Sequence, residues 1–415
     1  MRDRFFFKKK GSVLVVCWNM SHNPLGRAFL FADFLRRNYH TKIVGPIFPK
    51  FSKKIWFPLR KYLRGADTFT ASNFPEFLDQ ATEFAKSQPK VDIVIICKPR
   101  LPSIFIGLLI AQKNNAKVIL DIDDYELAFF ENQDPLLLED AIKDGLDLSC
   151  PYHETWTRIC QSWIHLFPYR IVSNHKLQEK FGGTIIPHVR NERIFDPQFY
   201  NRSWIRKKHG YSPSDKVILF LGTPREHKGF EEIPRALKKI GNPNYKFCLI
   251  GKIRNDALRT RFLKKYGHLA QVFTDSDFRD LPEKLCIADM ICLLQDEKSL
   301  VSEYQLPAKL IDAIAMEIPV LVRPIGPLEH YANQDMVISL TDPKKLAETI
   351  DQLFKKIDVH RDHAKKIRSE YFNSRFSFRA GSNQIEQLGN SSKDFSWIKK
   401  ILTEIETYSS AKERL

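Results

Sequence analysis

The sequence predicts an α/β protein with two parallel-sheet domains, and three observations carry that expectation. Short β-branched runs alternate with segments of helical period, as parallel sheets with crossover helices require. A strand, loop and helix opening occurs twice, once from residue 11 and again from residue 216. Between them, FDPQFYNRSWIRKKHGYSPSD at 195–215 is rich in turn formers and poor in apolar period, which suits a linker with one short helix. At 415 residues the chain has room for two domains of common size, and its 43% hydrophobic content supplies a core to each.

In the first half, GSVLVVCW at 11–18 reads as a buried strand and RAFLFADFLRR as a helix with Phe29, Phe31, Phe34 and Leu35 along one stripe. The loop NMSHNPLGR joins them and puts Gly26 and Arg27 at the helix start, where backbone N–H groups can meet an anion or a sugar. A plain turn role for Gly26 is the competing reading. TKIVGP at 41–46, DIVIICKP at 92–99 and KVILDIDDY at 117–125 are further strands, with a helix from Pro102. Asp121, Asp123 and Asp124 cluster at the carboxyl end of the last, where open α/β sheets place their ligands. They can face a ligand, hold a metal or cap the next segment. Residues 126–165 read as helical excursions of no firm assignment. YRIVSNHKLQEKFG at 169–182 gives a strand, a helix start at Ser173-Asn174 and a helix ending at Gly182.

Charge is unevenly placed. Residues 1–70 hold 15 Lys/Arg against 3 Asp/Glu, so +12 of the formal +16 lies in the first sixth of the chain. Within residues 48–64, Lys50, Lys53, Lys54, Arg60, Lys61 and Arg64 interleave with Phe48, Phe51, Trp56, Phe57 and Tyr62. That mixture suits an anionic membrane surface, with a solvated loop as the alternative. Nucleic acid is not expected, since no RNA-binding aromatic signature, zinc finger or long basic helix face occurs. No apolar run approaches the length of a membrane span, and the basic, aromatic N-terminus lacks the order of a signal peptide. Seven scattered cysteines without a C-x-x-C pair read as buried thiols in a reducing compartment, so a cytoplasmic protein is expected, with a peripheral place at the inner face of the membrane as the further reading of the basic segment.

The second half restarts with KVILFLGTPREHKGFEEIPRAL. Gly222 lets the backbone turn closely, and Arg225 and Lys228 put two cations where a diphosphate can be gripped. KFCLIGK ends a strand at Gly251, where a nucleotide base can lie against the backbone, and Asp275 to Phe278 are candidates to line its pocket. The most informative stretch is SEYQLPAKLIDAIAMEIPVLV from Ser302. Pro307 suits a helix start near Leu306; Leu310, Ile311, Ile314 and Ala315 form the apolar stripe, and Lys309 and Asp312 project elsewhere. A helix N-terminus favours phosphate, and carboxylates at Glu303 and Asp312 can accept hydrogen bonds from sugar hydroxyls.

PAKLIDAIAMEIPVLV resembles the donor-binding segment of glycosyltransferase family 4, P-x-K-L-x-E-A-x-A-x-G-x-P-V, and the loop after Gly222 resembles that family's G-T-x-x-x-H-K-G. Asp312 stands for the usual glutamate, Glu317 for a common glycine, and Tyr304 fills the slot of a first glutamate, with Glu303 one residue off. A single Gly26 replaces the family's usual glycine pair. The resemblance implies the GT-B fold, two Rossmann-like domains facing across a deep cleft. It places an acceptor-binding domain at 1–200, a nucleotide-sugar domain at 201–380 and a helical tail at 381–415 that returns to the first domain, with His188 and Asn191 near the hinge. It also implies a retaining, metal-independent transfer of sugar from a nucleotide diphosphate sugar to a glycan or lipid-linked acceptor, with no cofactor. Arg225 and Lys228 would hold the donor phosphates, Asp312 the ribose and Glu303 the donor sugar. Gly26, Gly222, Gly251, Pro307, Lys309 and Leu310 would complete the donor site. The alternatives are a non-catalytic subunit of the same fold that binds nucleotide sugar or a partner enzyme, and a phosphorylase or epimerase.

Overall fold

The computed structural model describes residues 9–63, 65–131, 133–224, 228–253, 255–273, 277–388 and 394–412, the last four by backbone alone. The chain divides into two units, Met1–Pro187 with Ser382–Leu415, and His188–Gly381. Among the described residues the first holds seven strands: β1 (Ser12–Cys17), β2 (His40–Ile47), β3 (Asp67–Thr70), β4 (Ile93–Cys97), β5 (Lys117–Ile122), β6 (Arg170–Val172) and β7 (Thr184–Ile185). They lie in the order β3-β2-β1-β4-β5-β6-β7, all parallel. The apolar runs sit at the centre because a doubly covered sheet buries both faces of its middle strands. β5 is buried at all six positions, and β1 at all but the first.

Helices Leu25–Leu35 and Leu101–Asn114 follow β1 and β4. Pro102 falls in the first turn of the second, where its missing N–H costs nothing, and left-handed Asn115 ends it. The region left open at 126–165 contains helices Leu138–Lys143 and Glu154–Trp163 and two short 3₁₀ turns. The closing helix, Ser396–Lys412, belongs to this unit: Ile398, Ile401 and Ile405 are buried, and Trp163 Nε1 donates to Glu404 at 2.9 Å.

Among the described residues the second unit has six parallel strands, β8 (Lys216–Leu221), β9 (Tyr245–Ile250), β10 (Ala270–Phe273), β11 (Met290–Leu293), β12 (Val320–Val322) and β13 (Ile338–Ser339), in the order β10-β9-β8-β11-β12-β13. Apolar clusters built around Leu219, Ile291, Leu310 and Ile314, and around Ile218, Phe247, Leu249 and Ile350, make its core. The break between units falls at Pro187–His188, upstream of the residue 200 read from turn composition. Side-chain burial decides it: Phe195 is 3% exposed inside the second unit's core, and Arg190 bridges Ser377 in parallel-strand fashion.

Candidate donor site in the second unit

In an open parallel sheet, ligands bind beyond the carboxyl ends of the strands where the strand order reverses. In this unit that point lies between β8 and β11. Gly222 follows β8 at φ +109, a backbone that side-chained residues rarely adopt, and a Cβ there would stand 3.1 Å from Lys309 Cε and 3.4 Å from Nζ. Gly251, after β9, lies so close that its Cβ would meet the Gly222 carbonyl at 2.2 Å. The glycine at 251 is therefore required by the neighbouring backbone, a reason different from the approach of a base. Gly222, Gly251 and Lys309, three of the residues picked from sequence, are thus brought together.

Lys228 is half-buried and precedes Gly229, whose Cβ would lie 2.5 Å from the Leu294 carbonyl just past β11. That close approach sets Gly229 against the end of β11, the strand beside β8 where the order reverses. Arg225 lies outside the described residues, as do Asp275 and Ser276 of the expected base pocket.

The helix expected from Leu306 spans Ala308–Ala315, with Pro307 as its N-cap at ψ 121° and no side-chain cap. Proline offers no N–H and no capping oxygen, so the first-turn amides of Ala308 and Lys309 are left to be satisfied from outside the side chains of the cap. Glu303 is exposed on a separate short helix, Leu300–Tyr304. At the other end Glu317 takes φ +58, the left-handed C′ conformation, while the Ile318 amide donates to Ala313 O at 3.0 Å. This is why a glycine is common at that slot, and the carboxylate of Glu317 is placed 3.8 Å from Arg368.

Two sequence expectations are corrected here. Leu310 is fully buried in the core and its amide donates to Pro307 O at 3.0 Å, so it supports the helix and does not face a ligand. Asp312, expected to project from the apolar stripe and bind ribose, is 2% exposed and pairs with Arg190, Nε to Oδ1 at 2.5 Å. Arg190 also donates to Ala308 O at 3.4 Å and to the carbonyls of His188 and Val189, both at 3.0 Å. Its own backbone joins Phe376 and Phe378 through bonds of 2.7 and 3.0 Å. Asp312 is thus the helix's anchor.

Sequence reading missed Arg190 and Arg323. Arg323, just past β12, donates to Gln295 O and to Glu232 Oε2, each at 2.8 Å. Its signal was a cation directly after a buried strand at the carboxyl edge. Around it, Gln295 Oε1, Ser302 Oγ and Arg323 Nε are buried and have no hydrogen-bond partner among the described residues. Buried polar atoms rarely stay unpaired, so this edge is built to receive polar atoms that the protein itself does not supply.

The first unit's carboxyl edge is occupied differently. Gly26 has its amide committed to Asn23 O at 3.0 Å, and a Cβ there would meet only Trp56 at 3.8 Å. That bond is the one a plain turn at the helix start makes. Arg27 is buried against Asp121 at 2.8 Å and donates to the carbonyls of Ile186 and Pro187. Asp123, Asp124 and Glu126 form the one acidic group with metal-ligand spacing among the described residues. Lys98 Nζ stands 2.7, 2.8 and 2.9 Å from them, a fixed ammonium where a metal ion would sit. Burial lowers the Lys98 pKa, and these carboxylates outweigh it and carry the group well above its ordinary value.

The two parallel-sheet units define a GT-B α/β fold, and solved structures share it. HepE of Anabaena, in complex with UDP-glucose, is 12% identical with a TM-score of 0.66, covering 91% of this chain and 98% of its own. A glycosyltransferase from Rickettsia africae is 18% identical at TM-score 0.64, covering 92% and 98%. Sucrose-phosphate synthase from Thermosynechococcus elongatus is 15% identical at TM-score 0.62, covering 91% and 98%. At these identities the likeness is one of fold. Residues 201–370, most of the second unit, match the family model of glycosyl transferases group 1. No curated protein matches the chain in sequence.

Proposed function

We propose that the protein transfers a sugar from a nucleotide diphosphate sugar to a glycan or lipid-linked acceptor in the cytoplasm, with retention at the anomeric carbon and without a metal ion. The observation that carries the reading is the convergence of Gly222, Gly251 and Lys309 at the strand-order reversal, beside a helix start without a side-chain cap. The bond from the anomeric carbon to phosphate oxygen breaks, the diphosphate leaves with the electron pair, and the acceptor oxygen takes its place as its proton passes to the diphosphate or solvent. Lys228, Lys309 and Arg225 offset charge growing on the departing diphosphate, and the N-terminus of helix Ala308–Ala315 adds its dipole. Pro307 keeps that end open. Glu303 orients the donor sugar, and Asp312 acts through Arg190 by fixing the helix. The first unit takes the acceptor. Seven free cysteines, six of them buried, are in keeping with a reducing compartment.

The non-catalytic alternative has one specific observation in its favour, the commitment of Asp312 to an internal ion pair. Product analysis separates the two. Purified protein given nucleotide sugars and a panel of acceptors is expected to release free nucleoside diphosphate and a glycosylated acceptor in equal amounts. Binding of nucleotide sugar with neither transfer nor hydrolysis across the panel would instead establish the binding subunit.

A further inference from the structure

In the first unit, residues 48–62 form a built surface that the proposed chemistry does not use. Trp56 donates its amide to Met20 O at 2.9 Å, and Arg60 Nε donates to Ile55 O at 2.9 Å, so the segment is held against the loop after β1. Phe51 meets Trp18 and Tyr152 edge-on, with centroids 5.9 and 5.2 Å apart. A merely solvated loop has no need of this framework. Outside it, Phe57 is 60% exposed and Phe51 42%, in the company of exposed Lys50, Lys53, Lys54, Arg60 and Lys61. No Asp or Glu occurs from Phe48 to Arg64, and Asp67, the first acid beyond, pairs with Lys42.

We propose that this surface docks the protein on a bilayer with anionic headgroups, with Phe57 and Phe51 seated in the interface and the lysines and Arg60 against the lipid phosphates. Charge complementarity selects the occupant. A run of cations that no acid interrupts in the sequence matches an anionic surface, and exposed rings among them gain from an apolar layer below the headgroups, which a soluble polyanion lacks. The proposal rests on the transferase reading only for its purpose, bringing the loop after β1 to a lipid-linked acceptor.

The test is co-sedimentation of the full chain with phosphatidylcholine vesicles, with and without phosphatidylglycerol. Binding is expected only to the anionic vesicles and should fall as salt rises. Lys53→Glu with Lys54→Glu should weaken it by about tenfold or more, and Phe57→Ser by several-fold. Both variants change exposed positions, so their nucleotide-induced melting shift should match the parent; that readout also reports separately on the donor site. No vesicle binding, equal binding to neutral vesicles, or full binding by the charge-reversed variant would each overturn the proposal. Retention on nucleic acid without vesicle binding, indifferent to Phe57→Ser, would reassign the surface to a soluble polyanion.

Discussion

Lys228→Ala is expected to lower transferase turnover by about 10²-fold or more, because removing one fixed charge from a departing diphosphate typically costs a few kcal/mol of barrier. The residue is half-buried after β8, next to Gly229, which lies close against the Leu294 carbonyl just past β11. The loss should appear in kcat at temperatures where the variant stays folded. Arg225→Ala should show a loss of the same order. Lys228→Arg should recover part of the activity, since a guanidinium keeps the charge but changes its geometry. Unaltered turnover in Lys228→Ala would remove the diphosphate from this loop.

Arg190→Ala should have the largest effect on stability. Asp312 would be left 2% exposed with its buried charge unpaired, and breaking one partner of a buried ion pair usually costs about 3–5 kcal/mol. For a unit of this size that is a fall of roughly 10 °C in melting temperature. Arg190→Lys should recover only part of it, because a point ammonium cannot span Asp312, Ala308 O and the carbonyls of His188 and Val189 together. If the helix Ala308–Ala315 is the donor's anchor, Arg190→Ala should also weaken nucleotide binding at temperatures where the chain stays folded. Thermal denaturation and nucleotide titration of the same samples check both halves. A variant that melts and binds like the parent would show that the Arg190–Asp312 pair holds nothing in place.

The strands that were most legible in the sequence are those covered on both faces. VLVVC and VILDI announce β1 and β5 because a doubly covered strand has no polar side to interrupt its apolar run. The edge strands β3, DTFT, and β13, of two residues, carry no such run and went unread. Around the candidate site, the turn at Gly222 and the helix start at Pro307 were legible because each has a local cause. Asp312 was misread for the opposite reason. Its partner Arg190 lies 122 residues away, and no local spacing distinguishes an acid facing ligand from one facing a buried guanidinium. Arg27 illustrates the same point: its carboxylate, Asp121, comes from β5, so a cation placed at a helix start in the sequence is an internal tie. Gly251 was found for its position but for a different cause, since what approaches it is the carbonyl of Gly222.

All of this depends on a nucleoside diphosphate occupying the second unit's carboxyl edge. The most direct measurement is the melting temperature of the full chain with UDP, GDP or ADP, for the parent and for Lys228→Ala. One nucleotide at a hundred times its dissociation constant should add about 2.7 kcal/mol of stability to the parent, and the same concentration should add much less to the variant. If none of the three raises the melting temperature, or if the variant shifts as far as the parent, the edge formed by Gly222, Lys228 and Lys309 is not a diphosphate site.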